Sequence, residues 1–386
     1  MMNNHNVTVD LVMLSKFGES DGGRETWAYS FLPELSNKIS NLRIFGYRTK
    51  TEDDNTKKLK KILNRKSEIF IFCGKDSRIP RFFTFIYCFY KSKNKIKSSC
   101  ADYVVAMGVF ELAFIMLFKK FFNGRRVVWL RGIFLHEKAA RIPSFLVPLM
   151  QRLEMFLIKK AEIVLANGDD IKDYYEKFGV DVKVIRNGVD LSVWGAVAPL
   201  ENSIMDKVRV AYIGRLDLVK GIDAFIKLAK KVKSSSYSDY FEFIVCGAGP
   251  SCYAEIKKLS DQKVLEYYGP VAKGDIPVLL NNIDVCVALT YSSKGLGGGG
   301  TSNALLEQMA AGRIIVAWDN AIFRQLLDIN NSYLCEQYSE ESLSNALENI
   351  YENYASAVLK ARKAKTDIEP LTIETQVKLF ESIVFN

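Results

Sequence analysis

The sequence predicts an α/β protein built from two doubly wound, Rossmann-like domains in tandem. Three observations lead there. Short apolar runs rich in β-branched and aromatic residues alternate with helical patterns, the signature of parallel sheets covered on both faces. That scheme occurs twice, and the stretch 195–206 between the two halves has a proline, small residues and no clear period. The chain has 386 residues, more than one core normally serves, so two domains of roughly 150–200 residues are expected.

In the first half, Val7–Leu14 reads as a buried strand and Arg24–Ile39 as a helix. Leu42–Tyr47, Glu68–Cys73, Tyr103–Met107, Val127–Leu130 and Ile163–Ala166 read as further strands with helices between most of them. The longest apolar run, Tyr103–Phe118, contains Gly108 and is interrupted by Glu111, so it reads as a buried strand followed by a buried helix and not as a membrane span. In the second half, Val208–Ile213, Phe241–Cys246, Val264–Tyr268, Val285–Leu289 and Ile314–Ala317 are the expected strands. Glu340–Lys363 and Ile373–Val384 look helical. The expected domains are 1–195, 196–370, and a C-terminal helix, 371–386, that packs back on the first domain.

The net charge of +9 is unevenly spread: residues 1–190 carry about +12 and the remainder about −3. A basic half points to an anionic partner, either a membrane surface, a phosphorylated lipid or a nucleic acid. No nucleic-acid reading motif accompanies the charge, so that partner is not expected. Two basic amphipathic stretches stand out, Lys57–Leu63 and the aromatic run from Arg78 to Lys97. The second suits a lipid headgroup interface and equally suits an aromatic core helix with a solvated basic end. The seven cysteines are scattered without CxxC spacing and read as small core residues. His5 and His136 are the only histidines, which disfavours a histidine-based zinc site. The first twelve residues lack the apolar stretch of a signal peptide, so a cytoplasmic protein is expected, peripheral on the inner face of the membrane if the basic half meets lipid.

Four features fall at the carboxyl ends of predicted strands in the second half, the edge where open α/β sheets bind ligands. Gly214-Arg215-Leu216, with Lys220 soon after, offers a close backbone approach and two cations for a diphosphate. Gly247 to Gly249 is a glycine turn running into a helix, and Gly269 to Val271 is a tight turn after the next strand. The fourth is the most specific: glycines 295, 297, 298, 299 and 300 precede Thr301 and Ser302 and open the helix Ala304–Ala311. Backbone N–H groups and a helix N-terminus together make an anion site. Glu307, in the first turns, is placed to accept from ribose hydroxyls. Gly295, Gly297 and Gly300, with Asp319 following, also satisfy a dinucleotide-binding pattern, so a nicotinamide-dependent oxidoreductase is a rival reading.

In the segments GRLDLVKG, CGAGP, YYGPV and GGTSNALLEQMAAGRIIVA, the second half resembles the nucleotide-binding domain of retaining glycosyltransferases of family four, which share the GT-B fold. SDGGRETWAYSFLPEL, VVWLRG and VIRNGVDLSVW extend the resemblance more thinly over the first half. The resemblance implies two Rossmann-like domains with the active site in the cleft between them. It implies that Arg215 and Lys220 hold the donor diphosphate, that Glu307 binds ribose, and that Gly299, Gly300, Thr301 and Ser302 cradle phosphate and sugar. Gly214, Gly247, Gly249 and Val271 would meet the donor, the last near the base. Gly22 and Gly23 would approach the donor phosphates, and Arg131 and His136 would lie on the acceptor side. No cofactor and no metal are implied. The expected activity is transfer of a sugar from a nucleotide-diphosphate sugar to a hydroxyl of a lipid-linked or other saccharide, with retention, in bacterial surface polysaccharide assembly. Two departures matter. The family's Glu-x7-Glu pattern would place its first glutamate at 299, where this chain has Gly299, which opens a further reading as a catalytically degenerate subunit that holds a nucleotide sugar. Many members have a histidine where this chain has Arg131.

Overall fold

The computed structural model describes residues 6–16, 23–48, 54–73, 81–92, 100–135, 143–194, 196–204, 206–292 and 299–386. They form two compact units. The first is Met1–Gly188 with Gly298–Gly300 and Ile373–Asn386, and the second is Val189–Gly297 with Thr301–Thr372. The change of unit falls ahead of the proline-containing stretch. Val189 donates to the Leu371 carbonyl and bridges Thr372, and Trp194 and Val197 already pack into the second unit's core.

The first unit's sheet is parallel throughout, with strands β1 (Thr8–Lys16), β2 (Asn41–Arg48), β3 (Glu68–Cys73), β4 (Tyr103–Ala106), β5 (Arg125–Leu130), β6 (Ile163–Ala166) and β7 (Lys183–Val184). Their order is β3-β2-β1-β4-β5-β6-β7. Alternate residues of each strand face opposite sides, so Val9, Leu11 and Met13 enter one core and Val12 the other. Helices α1 (Gly23–Lys38) and α2 (Asp54–Ile62) serve the first core. Helices α3 (Arg81–Ser92), α4 (Val109–Leu117), α5 (Val147–Ile158) and α6 (Asp169–Glu176) serve the second. Both faces are covered, which is why the strands read as continuous apolar runs. Asp10 is buried within β1, where its carboxylate accepts two bonds at 2.7 Å from the Arg43 fork on β2.

The second unit repeats the plan in a six-stranded parallel sheet. Its strands are β8 (Val208–Ile213), β9 (Phe241–Cys246), β10 (Glu266–Gly269), β11 (Val285–Ala288), β12 (Ile314–Trp318) and β13 (Tyr333–Cys335), in the order β10-β9-β8-β11-β12-β13. Helix α7 (Leu191–Trp194) precedes the strands, and α8 (Ile222–Lys233), α9 (Tyr253–Asp261), α10 (Ile276–Leu280), α11 (Asn303–Ala310), α12 (Glu340–Glu352) and α13 (Tyr354–Asp367) lie between and after them. The helical stretch expected over 340–363 is thus two helices, broken at Asn353, whose φ of −121° leaves the helical region. The last helix, α14 (Ile373–Val384), groups with the first unit. Phe380 stacks on Trp129 with centroids 5.4 Å apart and meets Phe31 edge-on at 5.8 Å.

The aromatic run forms a helix with one buried and one exposed aromatic face. Within α3, Phe85 and Phe89 are buried while Phe83, Tyr87 and Tyr90 are exposed. Its flanking Arg78, Lys93, Lys95 and Lys97 lie outside the described residues. In the Lys57–Leu63 segment, Leu59 and Leu63 are buried and Lys57, Lys60 and Lys61 are exposed, a helix packed by its apolar edge. An apolar stripe not anticipated from sequence lies on and just before α5: Phe145, Leu149, Leu153 and Phe156 are all exposed, beside exposed Arg152, Lys159 and Lys160. Among the described residues no helix is long and apolar enough to cross a membrane.

Candidate functional site

At the carboxyl edge of the second sheet, the chain leaves β8 through Gly214-Arg215-Leu216 and enters a single 3-10 turn, Leu218–Lys220. Asp217 organises this turn. Its side chain accepts from the Val219 N–H at 3.1 Å, its carbonyl accepts from the Lys220 N–H at 2.8 Å, and its carboxylate pairs with Arg215 at 3.2 Å. Gly221 closes the turn at φ 75°, a left-handed position that favours glycine. The Lys220 Nζ lies 3.4 Å from the Thr290 hydroxyl, and the Tyr291 N–H donates to the Val219 carbonyl at 3.0 Å. The loop after β8 is therefore tied to the loop after β11.

The glycine turn after β9 packs backbone on backbone against the same loop. A Cβ on Gly247 would meet the Gly214 carbonyl oxygen at 1.7 Å, and one on Gly249 would meet that of Leu216 at 2.2 Å. These glycines are required by the packing of two strand-end loops, a structural role beside the donor-binding one expected of them. The Gly247 N–H donates to the Gly269 carbonyl at 2.8 Å, so the turn after β10 joins the same edge. Val271 is partly buried against the core, and Lys273 follows in a short turn.

Gly295 and Gly297 of the glycine-rich segment lie outside the described residues. Gly299 and Gly300 have φ of 78° and 85°, both left-handed. The Gly300 N–H donates to the Asp170 carboxylate at 2.9 Å, with residues 298–300 grouping in the first unit. Thr301 is buried, and Ser302 caps α11 by accepting from the Leu305 N–H at 3.5 Å. Such a cap is worth about 1 kcal/mol to the helix. The side chain of Glu307, one turn in, has no hydrogen bond or ion pair among the described residues. Burial pushes its carboxyl up to about 7, partly opposed by the charge of Lys273. A carboxylate withdrawn from water without a partner is suited to accept from ligand hydroxyls. Asp319, the acidic residue of the dinucleotide pattern, is held by Arg324, whose Nη2 lies 2.6 Å from it and whose Nε also donates. The glycine segment follows β11 and not β8, the first strand of its unit.

In the first unit, the carboxyl edge of the sheet brings together α1, β5 and the segment after β7. Gly23 begins α1, while Gly22 and His136 lie outside the described residues. Arg131 follows β5. Its guanidinium carbon lies 4.7 Å from the Trp27 ring centre and 5.5 Å from that of Trp129, and its Nη2 donates to the Asn187 amide oxygen at 2.6 Å. Nε and Nη1 are covered and have no hydrogen-bond acceptor among the described residues. Burial, with the like charge of Arg24, lowers this arginine to about 9. Arg24 itself lies 3.9 Å from buried Glu111, which also accepts from the Leu14 N–H at 2.9 Å.

Sequence reasoning missed several residues of the second unit's edge. Asp217 had a signal in the Asp-x-x-Lys-Gly spacing of a capped turn. Thr290, Tyr291 and Lys273 had none, because their relevance comes from loops that meet only in the folded sheet. Three cysteines behave as small core groups: Cys246, Cys286 and Cys335 are buried, and burial raises the first two thiols to about 12 and the third to about 11, whereas Cys100 is exposed and Cys88 and Cys252 are partly buried.

Comparison with known proteins agrees with this geometry. Residues 207–353 match the family model described as glycosyl transferases group 1. An uncharacterized glycosyltransferase of Methanocaldococcus jannaschii is 23% identical over 248 residues, 59% of this chain and 60% of that protein, so the match spans well under the relative's full length. Among solved structures, Anabaena HepE in complex with UDP and glucose superposes with a TM-score of 0.72 at 16% identity, covering 98% of this chain and 99% of that one. The sucrose-phosphate synthase of Thermosynechococcus elongatus gives 0.75 at 15% identity, covering 98% of each chain. The lipopolysaccharide outer core galactosyltransferase WaaB, in its apo form, gives 0.68 at 18% identity, covering 98% of this chain and 99% of that one. These likenesses show the fold: two parallel-sheet α/β domains of the GT-B type.

Proposed function

We propose that this chain is a glycosyltransferase that moves a sugar from a nucleotide-diphosphate sugar to a hydroxyl acceptor, with retention of anomeric configuration. The observation that carries the reading is Glu307, an unpaired carboxylate behind the capped start of α11, at the sheet edge that also holds Arg215 and Lys220. In this reading Glu307 accepts from ribose hydroxyls. Lys220 and Arg215 neutralise charge that builds on the departing diphosphate, which is where a fixed cation lowers the barrier most. The start of α11 adds the positive end of a helix dipole, and the turn at Gly269 to Val271 borders the base. Because two cations already face the diphosphate, the reaction is proposed to proceed without a metal. The group 1 match and the UDP complexes of HepE support the donor class.

The proposed setting is assembly of a bacterial surface polysaccharide on a lipid-linked or other saccharide acceptor, at the inner face of the cytoplasmic membrane. The likeness to WaaB, a lipopolysaccharide outer core galactosyltransferase, and the exposed aromatic and basic residues of α3 and α5 support it. Gly299 favours one second reading, a subunit that binds nucleotide sugar without turning it over. A thermal-shift panel of UDP-sugars, GDP-sugars and NAD, followed by assay of the stabilising donors for hydrolysis and transfer, tests both. Stabilisation by NAD alone would overturn the proposal. Stabilisation by a nucleotide sugar with neither hydrolysis nor transfer would establish the second reading.

A further inference from the structure

Among the described residues Arg131 has no counter-ion. One of its donors is used by Asn187, its face rests on Trp27, and its remaining two nitrogens are covered and unpaired among the described residues. A neighbour of like charge, Arg24, bears on it unfavourably. The acidic group near Arg24 is Glu111, already committed to the Leu14 N–H. Arg186, in the segment after β7, has its own partner in Asp169. Removing a guanidinium from water and leaving its N–H groups unmade is costly, and a second cation beside it adds to the cost. Such a cost persists in a fold when a ligand offsets it. The N–H groups of a guanidinium pair best with an anionic acceptor such as a carboxylate or a phosphate.

We propose that Arg131, assisted by Arg24, binds an anionic substituent, a carboxylate or phosphate, carried by one of the sugars on which the protein acts. The assignment names the substrate class of the proposed transferase and rests on that reading. An uncharged sugar leaves the guanidinium without a counter-charge, whereas a uronate or a phosphosugar supplies one. The flat Trp27 and Trp129 rings hold the guanidinium plane and so fix the direction from which the anion is met.

The test uses the full chain and two sets of probes. In the first, binding of glucuronate, glucose 6-phosphate and glucose is compared by calorimetry. In the second, UDP-glucuronate is compared with UDP-glucose. A preference of about ten-fold or more for the anionic member is expected in one set, the size of a charge-assisted pair, and Arg131→Met should abolish it. Preference among free sugars assigns the group to the acceptor, and preference confined to UDP-sugars assigns it to the donor. Arg24→Gln should weaken the same preference and serves as the readout if Arg131→Met does not fold. Absence of preference in both sets overturns the inference. So does an Arg131→Met protein that melts lower yet keeps the preference, since the arginine would then be structural. Binding of UDP itself, with its dependence on Lys220, reports separately on the proposed function, so either reading can fail without the other.

Discussion

The Lys220 ammonium stands 3.4 Å from the Thr290 hydroxyl, a contact that joins the turn after β8 to the loop after β11. The lysine is aimed by the Asp217 turn beneath it and by the Val219–Tyr291 backbone bond beside it. A cation held this way needs no reorganisation as charge builds on a leaving diphosphate. Lys220→Ala is therefore expected to lower kcat by about 10²–10³, the size of one preorganised electrostatic donor. If the two cations serve without a metal, as proposed, turnover in excess EDTA should be unchanged. Steady-state kinetics with the donor found in the ligand panel checks both, and undiminished turnover of Lys220→Ala would remove Lys220 from its role.

Glu307 gives a prediction in pH. Its carboxyl is raised by burial from the ordinary 4.5 to about 7 in the folded protein. The folded state therefore binds a proton that the unfolded state has lost, and stability falls as pH rises from about 4.5 to about 7. Above that window the loss is constant, on the order of 3 kcal/mol. Glu307→Gln should flatten this part of the profile and melt higher near neutrality, while binding nucleotide more weakly. Melting curves from pH 4.5 to 8, with and without UDP, measure both effects. A variant that melts lower and binds UDP as tightly as the parent would leave Glu307 a structural residue.

Much of this site was legible because its signals are local. A strand end followed by Gly-Arg, an Asp-x-x-Lys-Gly turn and a Ser-capped helix bearing Glu307 each lie within a few residues, so spacing alone identifies them. The contact of Lys220 with Thr290 and the charge of Lys273 acting on Glu307 join loops distant in sequence, and no periodicity encodes them. Strands β7 and β13 escaped for a different reason: two and three residues are too few to show alternation. The helix break at Asn353 lacks the Gly or Pro that usually marks one. Arg131 was visible as an odd residue after its strand, but its missing counter-ion is a property of the folded edge.

Gly299 stands where the resembled family has a glutamate, and its φ of 78° explains why a simple restoration should fail. A side chain in the left-handed region costs roughly 1–2 kcal/mol. Gly299→Glu is expected to melt a few degrees lower and to gain no activity, and Gly299→Ala should melt lower by a similar amount. Thermal melts and donor turnover of both variants check this. A Gly299→Glu protein with raised turnover would show that the loop tolerates the family residue.

Phe380 anchors α14 to the first unit's core through Trp129 and Phe31. It is almost fully buried, so Phe380→Ala should cost about 3–5 kcal/mol of stability, the transfer and cavity terms together. Urea denaturation followed by tryptophan fluorescence measures it. A loss below about 1 kcal/mol would mean that the helix is not integral to that core.

The stripe of Phe145, Leu149, Leu153 and Phe156 leaves four large apolar side chains in water beside Arg152, Lys159 and Lys160. Solvent alone gives no reason to keep such a stripe, whereas the boundary of an anionic bilayer accepts both the apolar residues and the cations. Each basic residue near an anionic surface contributes about 1 kcal/mol, so binding should weaken steeply with salt. Phe145→Ser with Phe156→Ser should reduce co-sedimentation with vesicles containing anionic lipid by about ten-fold or more, with little change in melting temperature because these side chains are already exposed. Vesicles of neutral phosphatidylcholine should bind either protein poorly. If the parent chain ignores anionic vesicles even at low salt, the membrane setting falls while the sugar-transfer proposal, which rests on the edge of the other sheet, is untouched.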